Sequence, residues 1–112
     1  MNAAKLIVYS QQITFEFYRT YLIDTNLHTD TFNALYIAYK AQPVNISKLA
    51  VKSYKTSKIN NLNADYIRTI LAPYITIDEF NLVRLNTEGL RLCLLYDEFV
   101  NEFVEVHSYL FK

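Results

Sequence analysis

One glycine and two prolines in 112 residues leave this chain almost without conformational punctuation. Tight turns draw on glycine for positive φ and on proline for a fixed φ, and a sandwich or barrel needs many of both. Long helices joined by short turns are therefore the expectation, with at most a small β element. The length suits a single domain, 1–112, which at this size buries roughly two-thirds of its unfolded surface. Fifty-two per cent of the residues are hydrophobic, with 10 Tyr and 7 Phe. That excludes a disordered chain, and it exceeds what a small monomer readily hides, which points to an apolar partner surface.

Residues 3–23 read as the first helix, with Leu6, Tyr9, Ile13, Phe17 and Tyr21 recurring every three or four positions and Ile7, Tyr18 and Leu22 widening the stripe. Asp24-Thr25-Asn26 breaks the pattern. Thr29 is the expected N-cap of a second helix over 30–41, with Phe32, Leu35, Tyr36 and Tyr39 on one side and Pro43 as its stop. Ile46 either adds a short strand or enters the next helix, predicted over 47–53 with Leu49 and Ala50 inward. Ser53-Tyr54-Lys55 then reads as a turn, and Thr56 or Ser57 as the cap of a fourth helix that turns Ile59 and Leu62 to the core. Residues 45–66 thus carry helix-turn-helix patterning. Two continuations stay open. The fourth helix runs on through Tyr66 and Ile70 to Pro73, or it ends near 63–65 and Tyr66–Leu71 is extended. A two-stranded β-hairpin is expected between 66 and 86.

The last helix, 88–111, places Leu92, Tyr96, Phe99, Phe103, Val106 and Leu110 at spacings of four, three, four, three and four, with Asp97, Glu98, Glu102 and Glu105 off that line. A heptad seam of this kind packs on its own core or on a second chain. Its aromatic weight and the broad first helix favour the second chain. The expected dimer interface is Leu6, Ile13, Phe17, Leu92, Tyr96, Phe99, Phe103, Val106 and Leu110.

Net charge is zero, yet the signs are segregated: −1 over residues 1–36, +5 over 37–77 and −4 over 78–112. Within Asn45–Arg68 lie Lys48, Lys52, Lys55, Lys58 and Arg68 against a single acid, Asp65, among short hydrogen-bonding side chains. A basic band inside a neutral protein is the footprint of an anion-binding face. Lys55, Thr56, Ser57, Lys58, Asn60 and Asn61 have the chemistry to meet double-stranded DNA. Asn pairs bidentately with adenine, and Lys reaches phosphate or guanine O6 and N7. Lys48 and Lys52 would hold the backbone beside them. The competing reading is a solvated helix face that binds nothing.

Other chemistry finds little support. The lone Cys93 allows no intrachain disulfide; among leucines it reads as a small buried apolar residue rather than a redox switch, which needs an exposed thiolate. His28 and His107 have no partners at ligand spacing, so no metal is expected. Asn45-Ile46-Ser47 matters as a glycosylation pattern only on a secretory route. No glycine-rich phosphate loop, nucleophile elbow or paired catalytic acids occur, so neither an enzyme nor a cofactor is expected. The apolar run after Lys5 is shorter than a signal-peptide core or a membrane span, which predicts a cytoplasmic protein.

The order of elements resembles the winged-helix regulators of the MarR family, especially the staphylococcal accessory regulator (Sar) group, over about residues 27–110. LHTDTFNALYIAY is similar to that family's second helix. KSYKTSKINNL is similar to the Sar-type entry to a recognition helix, where a Lys-Pro-Tyr turn precedes basic and Thr-rich positions; here Ser53 stands for the proline. DEFNLVRLNTEG is similar to the wing and its exit. The resemblance implies a mainly α fold with a small β-hairpin, a winged helix-turn-helix with N- and C-terminal dimerisation helices (3–23 and 88–111), helix-turn-helix 45–66 and wing 66–86. It also implies a homodimeric DNA-binding transcriptional regulator with its recognition helix in the major groove. The chain departs from the family at the wing, where Phe80 follows Asp78-Glu79 in place of an arginine and no basic residue lies between Pro73 and Val83. That departure motivates the alternative, a winged-helix factor that binds another protein (an antirepressor, or a replication or conjugation accessory) without strong DNA binding.

Overall fold

Apolar spacing carries the first two helices to within a residue of the ends expected of them, whereas the last ends at Val106, short of the expected 111. The computed structural model describes residues 3–57 and 63–107, with side chains described over 8–54 and 63–107. Helix α1 spans Ala3–Phe17 and continues as a wider π turn over Tyr18–Leu22. A regular α-helix would swing Leu22 away from the face of Phe17; five residues on, a π turn brings it back round. Both side chains are buried, so the widened turn serves the core.

Helix α2 is Thr29–Ala41. Its N-cap is His28, one residue before the expected Thr29, and Thr31 closes the first turn by accepting the His28 N–H on Oγ1 at 2.7 Å. Phe32, Leu35 and Ala38 are buried along one stripe. Strand β1, Val44–Asn45, follows at once. Asn45 also starts helix α3, Ile46–Ser57, by accepting the Ser47 N–H on Oδ1 at 2.9 Å.

The expected turn at Ser53-Tyr54-Lys55 does not form, because α3 runs straight through it. Leu49, Ala50 and Ser53 make the inward stripe, and the fully buried Ser53 donates its hydroxyl to the Leu49 carbonyl at 2.8 Å. A short hydroxyl can satisfy itself on the preceding turn, and nothing nearby breaks the helix. Thr56 and Ser57 consequently lie in the last turn of α3 and do not cap a fourth helix. Ile59 and Leu62 fall outside the described residues, as do Lys58, Asn60 and Asn61.

Helix α4 is Ala64–Leu71, with Asn63 as N-cap accepting the Tyr66 N–H on Oδ1 at 2.8 Å. The extended reading of Tyr66–Leu71 is therefore wrong. Ile67 and Leu71 face the core, while Tyr66, expected inward, is 36% exposed. Strands β2 (Ile75–Ile77) and β3 (Leu82–Leu85) form the hairpin inside the expected 66–86 window. The sheet has a third strand that the hairpin expectation omitted. β3 lies in the centre, antiparallel to both neighbours, with Val44 opposite Val83 and Ile75 opposite Leu85.

Helix α5, Thr87–Val106, is capped by Asn86, which accepts the Gly89 N–H on Oδ1 at 3.0 Å. Its seam packs largely on its own chain. Phe17 sits at the hub, with ring centroids 5.0 Å from Tyr96, 5.6 Å from Phe99 and 5.0 Å from Phe32. Ile13, Phe17 and Leu92, expected to meet a second chain, are thus buried within this one. Tyr96, Phe99 and Phe103 are half-buried, and Val106 is 70% exposed. The Leu6 side chain and Leu110 lie outside what the structure describes. Tyr36 and Tyr39 of α2 donate their hydroxyls to the Asp97 carboxylate at 2.5 and 3.2 Å, which clamps α5 to α2. Among the described residues no helix is long and apolar enough to cross a membrane.

Candidate nucleic-acid interface

Tandem helices α3 and α4 and the β2–β3 hairpin contribute the exposed polar surface around the basic band. On α3, Ser47, Lys48, Val51 and Lys52 share the outer face at i, i+1, i+4 and i+5 and line a shallow, mainly apolar depression. Both lysines are exposed. Lys55, Thr56 and Ser57 belong to the end of α3 by backbone, and their side chains are not described. Of the eight predicted DNA-contacting residues, then, the structure locates the side chains of two.

Reasoning from sequence missed the outward face of α4. Asp65, Tyr66, Arg68 and Thr69 are exposed there. Arg68 lies 3.4 Å from Asp65, three residues back, and both are open to solvent. An exposed pair of this length holds its members weakly, so a stronger anion can displace Asp65 from the guanidinium. Arg68 also borders an open groove between α4 and the hairpin, with Ala72, Ile75, Ile77 and Asn81 as its other walls. The signal for α4 was present in the Asn63 N-cap and the four-residue step from Ile67 to Leu71. It was obscured by placing the helix start at Thr56.

The hairpin tip is short and tightly held. Asp78 accepts the backbone N–H of Phe80 at 2.8 Å and of Leu82 at 3.0 Å on one carboxylate oxygen, and pairs its other oxygen with Arg84 at 3.1 Å. Asn81 takes φ of 60°, in the left-handed region that Asn tolerates better than most residues. Its carbonyl accepts the Ile46 N–H at 3.0 Å, which ties the tip to the first turn of α3. Phe80 is left 70% exposed. The cation on β3 is thus already engaged, and the tip offers carboxylates and a phenyl ring where a phosphate-binding wing would offer arginine.

The Leu82 backbone hydrogen bond, with smaller help from Phe80 and Arg84 and against some desolvation, holds the Asp78 carboxyl below its usual range. A depressed folded-state pKa contributes stability above the unfolded value, and that contribution is lost as pH falls through the folded value. The amide resonances of Phe80 and Leu82 should therefore titrate with a midpoint below that of free Asp, about 3.9. A midpoint at or above that value in an NMR titration would contradict the turn geometry.

Elsewhere the titratable groups are structural. Burial, and then the nearby Asp97, pushes the Cys93 thiol up to about 12, so it is no thiolate at neutral pH. Burial and the Asp97 hydrogen bond also raise Tyr36 and Tyr39 above the usual phenol range. Lys40 lies over the Tyr36 and Tyr39 rings at 5.5 and 5.2 Å from their centroids. Among the described residues no group of three or more His, Cys, Asp or Glu is arranged to hold a metal ion. No family model, curated protein or solved structure matches this chain.

Proposed function

We propose that this chain is a winged-helix DNA-binding protein that acts as a homodimer to regulate transcription at a pseudo-palindromic site. The observation that carries the reading is connectivity. α2, β1, α3, α4, β2 and β3 follow in that order, with β3 between β1 and β2 and the hairpin lying beside α4. That order suits a helix-turn-helix whose second helix enters the major groove while the hairpin flanks it. The recognition helix is then α4, shifted from the 56–66 region expected at first. Arg68 becomes the best base-reading candidate, since guanidinium reaches guanine O6 and N7 bidentately. Lys48 and Lys52 serve the phosphate backbone. For the dimer, Phe15 on α1 and Val104 and Val106 on α5 keep 58%, 38% and 70% of their surface open.

Titration of generic duplex DNA at two salt concentrations tests this. Binding at micromolar protein in about 50 mM salt, falling steeply as salt rises, is expected. Arg68→Ala should weaken binding by about 1–3 kcal/mol, and Lys48→Ala with Lys52→Ala should lower the salt slope by about two. Absence of binding at low salt sinks the proposal. It would favour a protein-binding accessory factor of the same architecture, to which the exposed Phe80 and the engaged Arg84 already lend weight.

A further inference from the structure

We propose that the hairpin tip of one copy of this chain docks into the α3 depression of a second copy, in a reciprocal and salt-sensitive contact. The tip is a preformed knob. Phe80 projects with 70% of its surface open, and Glu79 beside it is exposed. Asp78, the left-handed Asn81 and the Asn81–Ile46 hydrogen bond hold that shape, so little ordering entropy remains to be lost on docking. The depression is the complementary feature. Ser47, Lys48, Val51 and Lys52 wall it, its lining is mainly carbon, and Val51 is 53% exposed. An aromatic ring seated on Val51 would bring Glu79 towards the lysines at the rim.

Knob and depression also lie on one face of the molecule. The Asn81 carbonyl bonds to Ile46, and Ser47 and Lys48 are the next two residues. A two-fold axis passing between them lets each tip enter the other copy's depression, an isologous contact that would join one α1–α5 homodimer to the next. The contact is small beside the roughly 800 Å² per partner of a standard interface. Association is therefore weak and visible only as a concentration dependence. DNA is the competing occupant, with Phe80 as a wedge between base steps. Glu79 and the Asp78–Arg84 pair disfavour that, because they place carboxylate rather than free cation nearest the phosphates. This contact and the proposed DNA contact would both use Lys48 and Lys52; the experiment below contains no DNA, so the two readings fail separately.

Sedimentation velocity of the full chain over a range of concentrations tests the pairing, with circular dichroism to verify folding. The wild-type weight-average coefficient should rise with concentration beyond the value of the α1–α5 homodimer in about 50 mM salt and stay at that value in about 500 mM. Phe80→Ala, Lys48→Glu and Glu79→Lys should each weaken association by about tenfold or more relative to wild type. Mixing the Lys48→Glu and Glu79→Lys proteins should restore it, because each tip then meets an opposite charge at position 48. The proposal is overturned if wild type and Phe80→Ala share one concentration dependence. It is equally overturned if the mixture behaves as the average of its components.

Discussion

Gly89→Ala should destabilise this protein by about 3 kcal/mol or more, the upper part of the range for forcing extra atoms into a packed site. A Cβ at this position would stand 2.2 Å from the Tyr74 carbonyl oxygen and 3.1 Å from Leu85 Cγ. The first neighbour is backbone and cannot rotate away. That carbonyl is itself committed, since it accepts the Asn86 N–H at 3.0 Å, and Asn86 donates its side-chain N–H to the Pro73 carbonyl at 2.9 Å. Moving Tyr74 aside would thus disturb the N-cap of α5 and the start of β2 together. On helix propensity alone, alanine would stabilise by up to about 1 kcal/mol. The two effects oppose each other, so the sign of the change is diagnostic. A urea melt should show a lower midpoint with little change in slope; a higher midpoint would mean that α5 does not pass this close to Tyr74.

Phe17→Ala should cost about 3–5 kcal/mol, as large-to-small aromatic substitutions in cores do. Its ring is 1% exposed and lies within 5.6 Å, centroid to centroid, of Tyr21, Phe32, Tyr96 and Phe99. Removing it leaves a void bordered by α1, α2 and α5, next to the small cavity lined by Thr14, Leu22, Asn33 and Tyr36. Against a total of about 5–15 kcal/mol for a domain, such a loss is severe. The concentration dependence of the melt separates this core role from the interface role suggested by the heptad spacing. A core residue shifts the melting temperature equally at all protein concentrations, whereas an interface residue shifts it mainly where subunits associate. We expect the first result, with exchange of the α5 amides from Tyr96 to Phe103 accelerated most.

Phe17 also illustrates how far the sequence alone reaches. Its recurrence with Ile13 and Tyr21 identified an apolar helix face, and the seam from Leu92 to Val106 identified another. Periodicity reports which side of a helix avoids water but not what covers it. The two faces, each legible as a docking surface for a second chain, cover each other over Phe17, Leu92, Tyr96 and Phe99. Of the exposed apolar residues Phe15, Val104 and Val106 that remain for a partner, only Val106 belongs to the expected set.

Near the candidate interface the same limit took another form. Leu49 and Ala50 were correctly placed inward, and Lys48 and Lys52 outward. Ser53, however, has a side chain equally suited to opening a turn and to capping back onto a helix, and local chemistry does not choose between them. A buried position beside Leu49 and Ala50 chose the helix. Everything downstream then shifted: Thr56 and Ser57 joined α3, Asn63 became the cap, and Arg68 took the outward place on α4.

The sequence by itself determined the class of the fold, because a chain with one glycine and two prolines has few ways to turn and many to continue as helix. It also determined most ends of α1, α2 and α5, the hairpin window, and the segregation of charge into one basic band. Only tertiary structure decided that β1 joins the hairpin, that α3 persists through Ser53, and that Phe17 meets its own chain. Each of those depends on which surface arrives to bury a given face, and that is a relation between segments that no single stretch encodes.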